Sequence, residues 1–385
     1  MTADPGSVPA AGGRAFFGPL EAFRGVAALI VAWFHAPFAD GEKLLIVKQG
    51  AIFVDFFFIL SGFVMAHAYL SKIQGGMALR DFALLRLARL YPLHLFMLAV
   101  WLPYVLAKYA AHDLYGIGTD PAGRDDLWSL LGNLALVQSM GLFDTLTWNG
   151  PAWSISVEVF AYLAFFAVAA LAPRRWFGAL APLIAAAAFA LLYGLGRDNP
   201  QGLLFTHDFG FVRCVASFFA GAALHRLFLR RPLALGKGAA TALEALAVLA
   251  AVAAVLRSYN DAGWQLLTIC SFMALLFVFA HGAGRVSALM SLPFPRYLGR
   301  ISYSIYMVHA IVMIVVGNIA EYVLKMPLAD RTAEFSLVQS SYATLYNVAL
   351  LALVILIAGA VYRHVELRGK AWTLKRFARP APAAE

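Results

Sequence analysis

The chain has 385 residues, of which 62% are hydrophobic and 13% are charged, and its mean hydropathy is +0.75. Soluble domains carry about 25% charged residues, so this composition excludes a soluble protein and indicates a polytopic membrane protein. The net charge of +9 comes largely from short basic loops beside apolar segments. Such loops orient membrane spans and attract lipid headgroups, so we expect contacts with membrane lipids and none with nucleic acid.

The two ends of the chain differ from its apolar centre. Residues 1–17 are rich in Ala, Gly and Pro and lack the basic start and apolar stretch of a signal peptide, which predicts a flexible cytoplasmic N-terminus. Residues 367–385 form a basic tail that we expect to be disordered and cytoplasmic. Between them, residues 18–366 form one predicted transmembrane domain. Its two cysteines, Cys214 and Cys270, lie in apolar segments, so neither a disulfide framework nor a metal site is predicted.

The predicted spans are apolar runs near the length of about 20 residues that a helix needs to cross a bilayer. Ten such runs occur, at approximately residues 18–38, 50–70, 90–110, 151–171, 177–195, 209–229, 239–256, 262–281, 299–319 and 343–363. The predicted fold class is therefore an all-α polytopic membrane protein of about ten transmembrane helices.

An eleventh segment, residues 128–142, is short and contains polar residues such as Asn133 and Gln138. If this segment does not cross and the N-terminus is cytoplasmic, the inner side carries 20 Lys and Arg residues and the outer loops carry eight. If it does cross, the larger number of Lys and Arg residues falls on the outer side. Because basic residues concentrate on the inner side of membrane proteins, we predict ten spans, cytoplasmic termini, and a re-entrant or interfacial helix at 128–142 on the outer face.

The first span contains two ionisable residues, Arg24 and His35. They are 11 residues apart, which is three helical turns plus about 20°, so both project from one face, ~16 Å apart in depth. Charged side chains within a bilayer usually face a protein or water-filled interior, because exposing them to lipid is costly. The first span therefore predicts a polar tunnel along its axis.

With this topology, further ionisable residues fall in the outer third of the membrane, at the level of His35. Asp55 begins the second span, Ser154 and Glu158 share one face of the fourth, and Arg213 lies near the start of the sixth. Four ionisable residues on four spans can share one pocket. We therefore expect these side chains to converge around the tunnel.

A second group lies at the cytoplasmic edge and on the ninth span. Arg86 and Arg89 are one turn apart, and two guanidinium groups at that spacing can bind phosphates through bidentate hydrogen bonds. On the ninth span, Ser302, Tyr306 and His309 lie roughly on one face, with His309 near mid-membrane.

Each of these residues also has a purely structural interpretation. Arg24 could snorkel to the inner interface, and Arg86 and Arg89 could serve only as topology signals. Arg213 could neutralise a neighbouring carboxylate, and the tyrosines and histidines could be packing residues. Residue type and spacing alone thus support either an enzyme with a polar tunnel or a transporter.

Taken together and in order, five motifs resemble the membrane acyltransferase-3 family, which O-acylates sugars, glycolipids and some small molecules. The motifs are Leu20-x-x-x-Arg24-Gly25 with His35 eleven residues after the arginine, Val54-Asp55-x-Phe57-Phe58-Ile59-Leu60-Ser61-Gly62-Phe63, Arg86-x-x-Arg89-x-x-Pro92, Trp153-Ser154-x-x-x-Glu158 and Ser302-Tyr303-Ser304-x-Tyr306-x-x-His309. The chain departs from the family at Phe53, where glycine is usual, and after Glu366, where Glu-x-Pro is frequent.

The resemblance implies an enzyme of the bacterial cytoplasmic membrane that uses acyl-CoA, most often acetyl-CoA, as a co-substrate and has no tightly bound cofactor. Arg24, Arg86 and Arg89 would bind this donor at the inner mouth of the tunnel. The acceptor would be a hydroxyl group of a carbohydrate, glycolipid or small molecule at or beyond the outer face. The sequence leaves the identity of the acceptor open.

The resemblance also implies roles in catalysis. His35 would be the general base, because an imidazole titrates near working pH, and Asp55 or Glu158 would fix its tautomer. Ser154, Arg213 or a tyrosine hydroxyl would stabilise the oxyanion. The remaining tunnel or acceptor residues would be Trp153, Arg213, Ser302, Tyr303, Tyr306 and His309.

Two questions stay open at this stage. Transfer could be direct or could pass through a transient acyl-histidine. The alternative function is a secondary transporter or exporter of a small polar or glycolipid molecule that uses the same ionisable residues. Such a transporter should show broken helices in matching halves, and the sequence shows no such repeat.

Overall fold

The computed structural model describes residues 17–39, 45–116, 118, 120–173, 175–331 and 336–378. Most of this part of the chain is helical. Its α-helices are α1 Gly18–Phe34, α2 Leu45–Lys48, α3 Phe53–Gln74, α4 Leu79–Tyr115, α5 Leu127–Leu134, α6 Trp153–Leu171, α7 Phe177–Gly196, α8 Gly210–Arg230, α9 Lys237–Arg257, α10 Ala262–His281, α11 Arg285–Met290, α12 Pro293–Arg300, α13 Ser302–Asn318, α14 Ala343–Val361 and α15 Leu367–Phe377. Short 3-10 turns at Gly50–Ile52 and Gly150–Ala152 precede α3 and α6, and π-helical turns at Ile319–Val323 and Tyr362–Glu366 follow α13 and α14.

Nine helices within the described residues are long and apolar enough to cross a membrane. They contain α3, α4, α6, α7, α8, α9, α10, α13 and α14, the last continuing into α15. The remaining predicted span is α1, whose 17 residues extend ~25 Å, near the lower limit for a bilayer core. The prediction of an all-α polytopic membrane protein is confirmed.

One small β-sheet interrupts the helical architecture. Its strands are β1 Phe38–Ala39, β2 Leu328–Arg331 and β3 Ser336–Gln339, in the order β1-β3-β2. Strand β3 pairs in parallel with β1 and antiparallel with β2, and so joins the segment after α1 to the loop between α13 and α14. Strands of two to four residues leave too little periodicity for the sequence to predict them.

The segment 128–142 is shorter as a helix than predicted. Helix α5 has eight residues, or ~12 Å, so it does not cross a membrane. The predicted helical extent is wrong beyond Leu134, because Leu136 and Gly141 adopt φ angles of 57° and 76° that a right-handed helix excludes. The side of the membrane on which α5 lies stays a prediction.

The basic C-terminal segment is also more ordered than expected. Helix α15 packs against α4, and the expected disorder is therefore wrong for Leu367–Phe377. The contact depends on Gly369, where a Cβ atom would lie 2.4 Å from Pro92 Cβ, and Arg80 also donates a hydrogen bond to the Phe377 carbonyl at 3.4 Å. The predictions made for residues 1–16 and 379–385 lie outside the described residues.

Close helix contacts bring the elements of the site together. Helices α3 and α8 meet with almost no space between them, since a Cβ at Gly62 would lie 1.8 Å from the Phe218 carbonyl oxygen and one at Gly221 would lie 1.9 Å from that of Ile59. Only glycine permits such an approach between helix backbones. This contact holds α3 in a central position, where it also packs against α1 and α6.

Candidate active site

A polar cavity of about 110 Å³ lies between α1, α3, α4, α6 and α13. A single water needs roughly 10–15 Å³ on this measure, so the cavity has room for a substrate group. Its polar lining consists of Arg24, Ser61, Arg86, Arg89, Ser154, Glu158, Tyr162, Ser302, Tyr303 and Tyr306. The structure therefore brings together eight of the residues predicted from sequence, together with Ser61 and Tyr162, which the prediction did not include.

Three arginines give this cavity its positive charge. Within the described residues, Arg24 and Arg89 form no hydrogen bond or ion pair. Arg86 donates a hydrogen bond to the Tyr69 hydroxyl, and its guanidinium lies 4.5 Å from the centroid of that ring. None of the three pairs with a carboxylate in this part of the chain. Carboxylates lie near enough to act on these arginines electrostatically, yet guanidinium groups at a cavity wall that are not engaged in ion pairs can still bind an anionic ligand such as phosphate.

The carboxylate of Glu158 lies in the same cavity and is held by two hydroxyl groups. Ser61 donates to Glu158 Oε1 at 2.5 Å, and Tyr162 donates to the same oxygen at 2.6 Å. The two hydroxyl oxygens are 3.2 Å apart. Both partners left a signal in the sequence, because Ser61 belongs to the second motif and Tyr162 follows Glu158 by one helical turn.

Residues from α6 and α13 form another part of the wall. Tyr306 donates to the Pro151 carbonyl oxygen at 2.9 Å and accepts a hydrogen bond from Ser154 Oγ at 2.9 Å. Tyr303 donates to a backbone carbonyl of α4 at 2.8 Å, which ties α13 to α4. Among the described residues, the buried hydroxyl of Ser302 has no hydrogen-bond partner. A substrate group can therefore bond to Ser302 without displacing a protein contact.

His35 lies outside the lining of this cavity. Its Nδ1 atom is 2.9 Å from the Val31 carbonyl oxygen and 3.2 Å from Nε2 of His309. His309 is fully buried, and its ring centroid lies 5.7 Å from that of the cavity residue Tyr306. His35 is therefore linked to the cavity through His309 and Tyr306.

The predicted carboxylate partner of His35 is wrong. Asp55 and Glu158 bond to other residues, because His35 ends α1 beside α13, whereas Asp55 faces α8. The prediction of one pocket shared by His35, Asp55, Glu158 and Arg213 is also wrong, since only Glu158 lines the cavity. Residues at a similar depth in the membrane therefore do not all face the same cavity, because each helix can turn its side chains toward a different neighbour.

Asp55 and Arg213 instead form a closed ion pair. Arg213 donates to Asp55 Oδ2 from Nη2 at 2.7 Å and from Nε at 3.0 Å, and Ser217 donates to Oδ1 at 2.9 Å. Two more guanidinium hydrogens reach two backbone carbonyls, and the guanidinium lies 5.4 Å from the centroid of the Trp153 ring. Both charged side chains are only 1% exposed. The structural interpretation of Arg213, neutralising a carboxylate, is the one observed.

A further carboxylate, Glu366, lies near the arginines and was not among the predicted site residues. It belongs to the π-helical turn after α14, and Ser304 donates to its Oε2 atom at 2.8 Å. It is close enough to Arg89 to interact electrostatically, although the two form no ion pair in the described part of the chain. Glu366 is thus a second carboxyl group, besides Glu158, in the electrostatic surroundings of Arg89.

An apolar helix bundle around a cavity lined by three arginines indicates an integral membrane protein with a polar interior site. Comparison with known families then identifies the class of reaction. The family described as "Acyltransferase domain", acyltransferase-3, matches residues 19–364, and the chain belongs to this family. It is a membrane acyltransferase of the acyltransferase-3 type, as the sequence motifs predicted.

Two relatives match parts of the chain. "Protein 2 in picA locus" of Rhizobium radiobacter is 39% identical over 154 residues, which cover 36% of this chain and 75% of that protein. "Acyltransferase MdmB" of Streptomyces mycarofaciens is 36% identical over 159 residues, which cover 38% of this chain and 37% of that protein. No solved structure matches the chain.

Proposed function

We propose that this protein transfers an acyl group, acetyl in the simplest case, from acyl-CoA to a hydroxyl group of a carbohydrate, glycolipid or small molecule. The observation that carries the proposal is the cluster of Arg24, Arg86 and Arg89 around one cavity, none of which forms an ion pair with a carboxylate in the described residues. Holding three cations apart in a membrane protein is costly, so a ligand that neutralises them is expected. Family membership favours transfer over transport.

The donor, in this proposal, binds with its phosphates at the arginines and its thioester deeper in the cavity. The cavity follows α3 from Val54 to Met65, a distance of ~16 Å along the helix axis, and Met65 contacts Arg86 at one end. A long, thin pantetheine arm suits this shape. Acyl-CoA is thus a co-substrate that enters and leaves, and no resident cofactor is proposed.

The general base for the acceptor hydroxyl, in this proposal, is His35. We assign the proton of the neutral imidazole to Nδ1, which then donates to the Val31 carbonyl oxygen, while His309 Nε2 faces the same N–H as an acceptor. The lone pair of His35 is then on its Nε2, the nitrogen that would remove the hydroxyl proton. The acceptor would bind near Tyr306, beside the pair formed by His35 and His309, with Ser154 and Glu158 on the adjoining wall.

We further propose that the protein resides in the bacterial cytoplasmic membrane with both termini in the cytoplasm. The support is the excess of basic residues in the loops that this orientation makes internal. The arginine cavity then opens toward cytoplasmic acyl-CoA. Reporter fusions at the C-terminus, active only on one side of the membrane, test the orientation.

Loss of His35 tests the reaction. Purified protein in lipid nanodiscs is incubated with radiolabelled acetyl-CoA and a fraction of cell-envelope glycans, and label in the glycans is counted. His35→Ala should reduce transfer by about 10²- to 10⁴-fold, the usual contribution of a general base. Mass spectrometry of envelope glycans from a deletion strain would identify the acceptor by its lost acyl mass.

His281→Ala is the matched control. His281 Nδ1 lies 2.9 Å from the Phe277 carbonyl four residues earlier, the same local contact that His35 makes, but His281 does not line the cavity. Transfer by this variant should equal that of the unmodified protein. Full activity of the His35→Ala protein would contradict the assignment of the base.

A further inference from the structure

The cavity holds opposite charges that do not pair. Glu158 lines the same cavity as Arg24, Arg86 and Arg89, yet it forms no ion pair with any of them in the described structure. A carboxylate and guanidinium groups that line one small cavity between packed helices attract one another more strongly than in bulk water, because the effective dielectric is lower there. Something must therefore restrain the carboxylate.

The restraint is visible in the hydrogen bonds of Glu158. Ser61 of α3 and Tyr162 of α6 both donate to one carboxylate oxygen, Oε1, at 2.5 and 2.6 Å. Hydrogen bonds to a charged acceptor are among the stronger ones in proteins, and two donors from two helices fix both the position and the plane of the group. The glutamate is thus held against the wall formed by α3 and α6.

The carboxylate of Asp55 provides a comparison, because it accepts a hydrogen bond from only one hydroxyl group. Ser217 donates to Oδ1 of Asp55 at 2.9 Å, and the other oxygen still forms an ion pair with Arg213. One hydroxyl on a carboxylate therefore does not prevent pairing with an arginine. Glu158 differs in having two hydroxyl donors on one oxygen.

We propose that Ser61 and Tyr162 are positioning residues that keep Glu158 from pairing with the arginines of the cavity. The guanidinium groups consequently stay available for the phosphates of the donor. This inference rests on the proposed function, in which these arginines bind acyl-CoA. Its consequence is specific: without the two hydroxyls, Glu158 becomes an internal competitor of the donor.

Binding of coenzyme A itself tests the proposal. The Kd is measured by isothermal titration calorimetry on the full-length protein in detergent micelles. Ser61→Ala combined with Tyr162→Phe should raise the Kd by about tenfold or more, because bonds to charged groups commonly shift an equilibrium by that factor. Adding Glu158→Gln to this double variant should restore the Kd, since a neutral amide competes poorly for arginine.

The rescue separates positioning from a merely structural role. If the hydroxyls only stabilise the fold, removing the glutamate charge will not recover binding. A matched control is Ser271→Ala with Tyr91→Phe, which removes one serine and one tyrosine hydrogen bond to backbone carbonyls away from the cavity. This control should bind coenzyme A as the unmodified protein does.

Each outcome has a defined meaning. If the unmodified protein does not bind coenzyme A, the proposed function fails; if it binds and the double variant binds equally well, only the positioning role fails. A raised Kd that Glu158→Gln leaves unchanged also overturns that role. If the double variant does not fold, Tyr162→Phe alone gives the same comparison, with a rise of about tenfold expected, because the one hydroxyl that remains does not prevent pairing with an arginine.

Discussion

Two regions of this molecule contain arginines and a carboxylate between packed helices, and they use them in opposite ways. Asp55 and Arg213 form an ion pair 2.7 Å long, with both side chains 1% exposed and four of the five guanidinium hydrogens bonded. In the cavity, Arg24 and Arg89 have no bonded partner within the described residues, and Glu158 bonds to hydroxyls instead. We refer to the ion pair of Asp55 and Arg213 as the clamp.

The difference separates a structural role from a binding role. Pairing and hydrogen bonding offset part of the cost of burying two charges, and removing one partner leaves the other uncompensated. Charges that are left unpaired around a cavity destabilise the empty protein but can be neutralised by a ligand. The clamp should therefore govern stability, and the cavity should govern donor binding.

The largest expected effect comes from breaking the clamp. Asp55→Asn leaves Arg213 buried without a counterion, and such losses typically cost about 3–5 kcal/mol. Chemical unfolding in detergent micelles, followed by tryptophan fluorescence, measures this loss. Replacing both residues, Asp55→Leu with Arg213→Met, should recover much of the stability, because no uncompensated charge remains. Normal stability of Asp55→Asn would show that the pair is not a clamp.

The second prediction concerns the cavity, where replacing charged side chains by neutral amides should weaken binding of acyl-CoA. Arg86→Gln with Arg89→Gln should raise the KM for acyl-CoA by about 100-fold or more, since each hydrogen bond to a phosphate contributes about 1.5 kcal/mol or more. The unfolding free energy should stay unchanged or increase, because like charges are removed.

Steady-state acyl transfer at varied acyl-CoA measures this KM. The exposed arginine of the same helix provides the control, and Arg80→Gln should leave the KM unaltered. An unchanged KM in the double variant would mean that Arg86 and Arg89 only orient the protein in the membrane.

A smaller effect is expected at the contact that holds the clamp helices together. Gly221→Ala places a Cβ atom 1.9 Å from the Ile59 carbonyl oxygen, so α3 and α8 must move apart. Overpacking of this kind costs about 1–3 kcal/mol, measurable by the same unfolding experiment. Gly194→Ala is the control in another helix, where no atom lies within 4 Å of the added group. Equal stability of the two variants would contradict the tight contact.

The smallest expected effect is that of salt concentration. It distinguishes the cavity from the clamp without any substitution. Raising ionic strength from 0.1 to 1 M shortens the Debye length from about 10 to about 3 Å, which weakens attraction between an open cationic cavity and phosphates. The Kd for coenzyme A should rise several-fold. Any salt effect on unfolding should be the same in the unmodified protein and in the Asp55→Leu, Arg213→Met variant, because a fully buried pair is screened little.

Part of the candidate site was predictable from the sequence. Motif order predicted the family, and eight of the predicted residues do line one cavity. The restraints on Glu158 were missed, because a serine and a tyrosine on apolar helices are unremarkable until a carboxylate is placed beside them. The partner of His35 was also predicted incorrectly, since depth along a helix says nothing about which neighbour that helix faces.

The sequence by itself determined the membrane class, nearly all spans and the family. Transfer of a residue from water to lipid is a local property, summed over about 20 neighbours, so each span can be read without knowing the others. Only the tertiary structure decided which arginines pair and which stay open. That choice depends on how each helix is rotated, and glycine contacts such as Gly62 on Phe218 set the rotation between residues far apart in the chain.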